Sequence, residues 1–151
     1  MNFSYDRPPL RYYRYAGMGA GSPTTPPAGW VTVSSSTSNI TVDAADQDAT
    51  SIYLALYLPS GSTVDGRSVS RSTLVRLNRV TLAVESVGAI QSLGTTLTSR
   101  RPGQVFDMRV VGSGTLRVAG ELAGGLRFGS RELVAESRAF GTYIADVSFL
   151  H

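Results

Sequence analysis

Residues 104–122 read Q-V-F-D-M-R-V-V-G-S-G-T-L-R-V-A-G-E-L, and their alternation decides the fold class. Phe106, Met108 and Val110 alternate with polar residues on one run, and Leu116 and Val118 do so on the next. A period of two is the signature of a strand. Between the runs lies Gly112-Ser113-Gly114. A three-residue loop there pairs Val110 with Leu116 and Met108 with Val118, which gathers the apolar side chains on one face. A two-residue loop over Gly112 and Ser113 would set Val110 against Thr115. A one-residue slip swaps the faces, so the three-residue loop is predicted. The same register opposes Arg109 and Arg117. Like charges directly across a strand pair are unfavourable. That face is therefore expected to meet acidic groups, from Asp107 on the diagonal or from a partner.

Outward from this hairpin, the chain from Trp30 onward consists of short β-branched runs broken by Ser, Gly, Asp and Pro. Strands are predicted near 30–34, 39–43, 51–58, 73–77, 79–87, 104–111, 115–122, 126–128, 132–138 and 142–150. This spacing gives an all-β fold, an antiparallel sandwich or barrel, with a jelly roll among the candidate topologies. One segment carries an alternative. In 72–93, Leu74, Leu77, Val80, Val84, Val87, Ile90 and Leu93 also recur at helical spacing, and a helix there would make the fold α+β. Val80, Leu82 and Val84 alternate and β-branched residues dominate, which favours strands.

The run Ser51–Leu58, S-I-Y-L-A-L-Y-L, is apolar or aromatic on both faces. Ile52, Leu54, Leu56 and Leu58 point one way; Tyr53, Ala55 and Tyr57 point the other. A half-solvated strand should alternate apolar with polar. Either the tyrosine face is covered by the chain's own elements, or Tyr53 and Tyr57 meet a neighbouring subunit. The second reading predicts a homo-oligomer, a trimer or a ring, with this strand at the contact.

Residues 1–29 differ in texture. They hold Pro8, Pro9, Pro23, Pro26 and Pro27, and interleave Tyr5, Arg7, Arg11, Tyr12, Tyr13, Arg14 and Tyr15. Proline favours extended chain and removes backbone donors. Residues 1–16 are read as an aromatic, basic arm and 17–29 as a linker, with a single β domain over 30–151. Tyrosine and arginine are the residue types enriched at protein interface hot spots. The arm is expected to dock on another subunit, with packing against its own domain as the alternative. Nucleic acid is a weaker reading, because three arginines offer few phosphate contacts.

Composition removes whole classes of chemistry. The chain of 151 residues has no cysteine, and all 14 of its basic residues are arginine. Disulfides, thiolate catalysis, cysteine-ligated metals, Schiff bases and the P-loop lysine are excluded together. The one histidine is His151, so a Ser-His-Asp triad has no base within the ordered body of the chain. Gly17-Met18-Gly19-Ala20-Gly21 lies between proline-rich pieces rather than between a strand and a helix, so it is a linker and not a nucleotide loop. Asp43, Asp46 and Asp48 cluster in V-D-A-A-D-Q-D. They are read as a turn, in which aspartate bonds its own backbone; calcium is the alternative, without EF-hand spacing. No catalytic residue, cofactor or metal is expected.

No apolar run resembles a secretory signal or a membrane span. The chain is expected to be a soluble, non-enzymatic structural protein. Its organisation suits a small virion component, in capsid decoration or in a head–tail or tail structure, located in the virion or otherwise cytoplasmic or released by lysis. A carbohydrate- or receptor-binding module using Trp30, Tyr53 and Tyr57 is the alternative, and a nucleic-acid-coating capsid protein a further one.

Overall fold

A computed structural model of the chain describes residues 2–6, 11–15, 33–35, 40–94, 101, 103–134 and 140–148. Every regular element among them is a strand, and every pairing is antiparallel. Among the described residues no helix is long and apolar enough to cross a membrane.

Six strands form the central sheet: β4 (Thr41–Gln47), β5 (Ser51–Tyr57), β8 (Ser72–Asn78), β9 (Val84–Ser92), β12 (Gly125–Phe128) and β13 (Arg131–Val134). Their spatial order is β13-β12-β9-β8-β5-β4. A second sheet has the order β10-β11-β14, built from β10 (Val105–Gly112), β11 (Thr115–Ala123) and β14 (Phe140–Ser148). A small third sheet joins β3 (Val33–Ser34), β6 (Thr63–Val64) and β7 (Arg67–Ser68). In it Asp65 and Gly66, both at positive φ, turn β6 into β7; Asp-Gly is a strong hairpin signal.

The middle strands of the central sheet, β5 and β8, are buried on both faces, and this explains Ser51–Leu58. One face sends Tyr53, Ala55, Leu74, Ile90 and Leu126 against Val105, Met108, Leu116, Val118 and Tyr143 of the second sheet. This is a face-to-face sandwich. The opposite face carries Ile52, Leu54, Leu56, Val75, Leu77 and Val84, packed with Val33, Ile40, Leu58 and Val64. A strand covered on both sides has no polar face to show. The chain passes from one sheet to the other at Gly124, where φ is +72° and Gly94 lies against it. Only residues without a side chain allow that approach.

Segment 72–93 forms strands, and the helical alternative falls. Its apparent helical period arises because β8 and β9 feed both cores: Leu74 and Ile90 enter one, Val75, Leu77 and Val84 the other. The second strand runs over 84–92 rather than the predicted 79–87. Asn78 is the reason. Its Oδ1 accepts the N–H groups of Val80 and Thr81, both at 2.9 Å, and its carbonyl accepts the Leu82 N–H at 2.9 Å. The chain turns there, leaving Val80 exposed while Leu82, at φ +61°, tucks into the core. β4 likewise runs over 41–47, later than predicted. It places Asp43 and Asp46 within a strand, because an edge strand tolerates polar side chains.

The N-terminal segment adds strands that the sequence reading did not include. Of residues 1–16, the described ones form β1 (Asn2–Asp6) and β2 (Arg11–Tyr15), which pair antiparallel as their own two-stranded sheet, with Tyr5 opposite Tyr12 and Asp6 opposite Arg11. Phe3 and Tyr5 on β1 and the three tyrosines of β2 are residue types that favour strands.

Candidate assembly surface

The β10–β11 register places Met108 opposite Val118, Arg109 opposite Arg117 and Val110 opposite Leu116, as the sequence predicts. The loop differs. Gly112 pairs with Thr115 around a two-residue turn, Ser113-Gly114, and Val111 is the extra residue of a bulge that restores the register. Gly114 takes φ +67°, which the turn requires. A second bulge, between Val105 and Asp107, overturns the expectation for Phe106. Val105 takes the core position and Phe106 is 54% exposed. A bulge shifts one residue off the ladder and re-aims its neighbours.

With Met108, Leu116, Val118 and Tyr143 pointing inward, strand alternation aims Arg109, Arg117, Ala119, Ile144 and Asp146 outward. The expected anion is present on this face, but it is neither Asp107 nor a partner's group. Arg117 lies directly across from Asp146 on β14, and its Nε and Nη2 donate to the two carboxylate oxygens at 2.8 and 2.9 Å. This pair raises the Arg117 pKa and holds Asp146 below the usual carboxylate range. Asp107 instead accepts the Met108 N–H at 2.9 Å. Arg109 is exposed. Beside the ion pair, Ile144 stands opposite Ala119 and is 74% exposed; Val111 is 46% exposed. A sheet packed on one face thus presents an exposed isoleucine beside an ion pair on the other.

Tyr53 is not part of any exposed surface. It is fully buried beneath the second sheet, and its hydroxyl donates to Asp48 Oδ2 at 2.9 Å. This corrects the partner-binding expectation for Tyr53 in favour of the covered-strand reading. Tyr57 is half-buried, with the Arg101 guanidinium 5.1 Å from its ring centroid, a cation–π distance. Neither offers a free aromatic platform for a sugar.

The three aspartates act separately. Asp48 Oδ1 accepts the N–H groups of Thr50 and Ser51 at 2.8 and 2.7 Å, which is the turn predicted for it. Asp46 Oδ2 accepts the Val110 N–H at 2.7 Å, tying edge strand β4 to edge strand β10. Asp43 sits in a bulge of β4, where Oδ1 accepts from Gln104 Nε2 at 3.4 Å and Oδ2 is buried without a partner. Among the described residues no three His, Cys, Asp or Glu side chains are grouped to hold a metal ion. The calcium alternative loses its cluster because the strand sends the side chains to different partners.

Burial pushes the Asp43 carboxyl above the usual carboxylate range, against hydrogen bonds from Thr41 and Gln104, the Arg101 charge and the Val105 N–H. A carboxyl whose folded pKa exceeds its unfolded one weakens the fold as pH rises from 3.8 upward, and carries no such cost below. Asp43→Asn is expected to raise the melting temperature by a few degrees at neutral pH and to change it little in acid. Thermal unfolding followed by circular dichroism at both pH values checks this.

Comparison with protein-family models, curated proteins and solved structures gave no match. Of the residues expected to bind partners, Arg109 and Arg117 are brought together on the outer face. Tyr5, Arg11, Tyr12, Tyr13, Arg14 and Tyr15 lie on the N-terminal hairpin; Arg7 and Trp30 lie outside the described residues, as does His151. Ile144 and Asp146 were not anticipated. Their phase opposite to Tyr143, Ala145 and Val147 was readable, but their pairing with β11 was not.

Proposed function

We propose that this chain is a non-enzymatic structural assembly protein that docks on other protein subunits, including its own copies, through the outer face of the β10-β11-β14 sheet and the N-terminal hairpin. The supporting observation is that Ile144 stands exposed beside the Arg117–Asp146 pair, with Phe106 and Val111 exposed at the bulges of β10, on a sheet whose other face is already packed. Exposed apolar groups set among charges are the makeup of a docking surface. A small virion component, for capsid decoration or a head–tail or tail position, is the setting this organisation suits, by architectural analogy. The sugar-binding alternative has less support, since Tyr53 is buried and Arg101 stands over Tyr57. So has nucleic-acid coating: Arg76, Arg117 and Arg127 are ion-paired to Glu85, Asp146 and Glu132 at 2.9, 2.8 and 2.5 Å.

Light scattering on the purified chain tests the reading. The wild type is expected to self-associate. Arg117→Glu, which sets a second carboxylate beside Asp146, is expected to lose association while keeping its β-sheet circular dichroism. A wild type that stays at the mass of one chain at all concentrations contradicts self-assembly. Association unchanged by Arg117→Glu returns this face to plain solvated surface.

A further inference from the structure

We infer that the free edge of β14 pairs antiparallel with β14 of a second copy, about a two-fold axis at Ile144, joining two three-stranded sheets into one of six strands. This rests on the assembly reading above and gives it a symmetry, a two-fold dimer in place of the trimer or ring expected from the sequence.

The edges of the two main sheets differ in how they are guarded. β4 and β10 are tied together by Asp46 and the Val110 N–H. β13 is only four residues long and carries the exposed, charged Arg131 beside Glu132. Short and charged edges resist strand addition. β14 is nine residues long, and β11 is its only strand neighbour among the described residues. Its sequence, F-G-T-Y-I-A-D-V-S, contains no lysine, arginine or proline. Its single charge, Asp146, is neutralised by Arg117 of its own chain. A row of unpaired backbone groups without such guards is a template for another strand.

Charge and apolar matching select one register. With the axis at Ile144, the two Ile144 side chains face each other, Thr142 faces Asp146, and Tyr143 faces Ala145. Moving the axis to Ala145 sets Ile144 against Asp146. Moving it to Asp146 opposes two carboxylates, which is unfavourable. Moving it to Tyr143 sets Ile144 against Thr142 and breaks the apolar match. In the selected register Ala119 of each copy flanks the central isoleucine pair, because β11 places Ala119 beside Ile144. The Arg117–Asp146 row of one copy then meets Thr142 of the second copy, a hydroxyl donor for the carboxylate. The arrangement is self-complementary, as a two-fold interface must be.

The chain has no cysteine, so a single introduced thiol reports its own neighbour. Residues directly opposed on antiparallel strands lie within disulfide reach. Under a mild oxidant, full-length Ile144→Cys is expected to run almost wholly as a linked dimer, whereas Val134→Cys on β13, equally exposed at 73%, stays monomeric. In parallel, light scattering is expected to show Ile144→Lys at half the wild-type mass with its β-sheet circular dichroism intact. Equal cross-linking at both positions, or an associated state that Ile144→Lys leaves unchanged, overturns the β14 pairing while the assembly reading stands. A wild type at the mass of one chain, with no linked Ile144→Cys dimer, overturns both.

Discussion

Replacing Tyr53 by alanine is expected to destabilise the fold by about 3–5 kcal/mol, the range for deleting a large buried ring. Tyr53 lies at the centre of the interface between the two sheets, on a strand with neighbours on both sides. Its hydroxyl also completes the turn that starts β5. Burial tends to raise the Asp48 carboxyl, but the N–H groups of Thr50 and Ser51 and the Tyr53 and Thr50 hydroxyls together hold it below its ordinary value. A carboxyl depressed in this way supports the fold above its unfolded pKa and stops doing so as pH falls through the folded one. Tyr53→Phe keeps the ring and loses one hydrogen bond, so about 1 kcal/mol is expected from it. Urea unfolding followed by circular dichroism checks both variants. The double change of Tyr53 and Tyr57 to serine is expected to abolish the β signal itself. An intact fold with only the assembly lost would restore Tyr53 to an interface role.

Gly120→Ala carries the second large effect, about 3 kcal/mol of destabilisation, at the upper end of overpacking costs. Gly120 is buried on β11, opposite Val105 on one side and Tyr143 on the other. A methyl group there would overlap the Gln104 carbonyl oxygen and come within 2.8 Å of the Tyr143 hydroxyl and 2.9 Å of its ring. The carbonyl is held in place by accepting the Glu121 N–H at 3.0 Å, so it has little freedom to retreat. Tyr143 is wedged by Phe128, whose ring lies edge-on at 5.6 Å. Gly112→Ala is the matched control. Its added carbon meets only the Thr115 Cβ at 3.9 Å, an ordinary contact. The difference between the two urea midpoints measures the close approach. Equal midpoints would mean that the bulge at Val105–Asp107 relaxes to accept the methyl group.

Both effects depend on contacts between segments far apart in the chain, and this marks the limit of what local pattern records. Alternation is a local property. Met108, Val110, Leu116 and Val118 announced their shared face, and face matching alone selected the register that the hairpin adopts. The turn was less legible, because a bulge at Val111 and a two-residue turn give the same register as the three-residue loop. Phe106 continued the same alternation and still turned outward, since nothing in its immediate sequence marks the bulge beside it. The helical spacing of 72–93 left a helix open beside the favoured strands for a related reason. A strand buried on both faces has no polar phase, so its apolar residues fit more than one period.

By itself, then, the sequence determined an antiparallel β fold, the pairing of β10 with β11, the opposition of Arg109 and Arg117, and the absence of thiol and amine chemistry. Tertiary structure alone decided what covers each face. It buried Tyr53 under the second sheet, brought Asp146 to Arg117 across 29 residues of chain, sent three neighbouring aspartates to three different partners and left β14 with β11 as its one described strand neighbour. The physical reason is that side-chain alternation fixes which residues share a face of a strand. What that face meets depends on the order of strands in space, which long-range burial and backbone pairing set together.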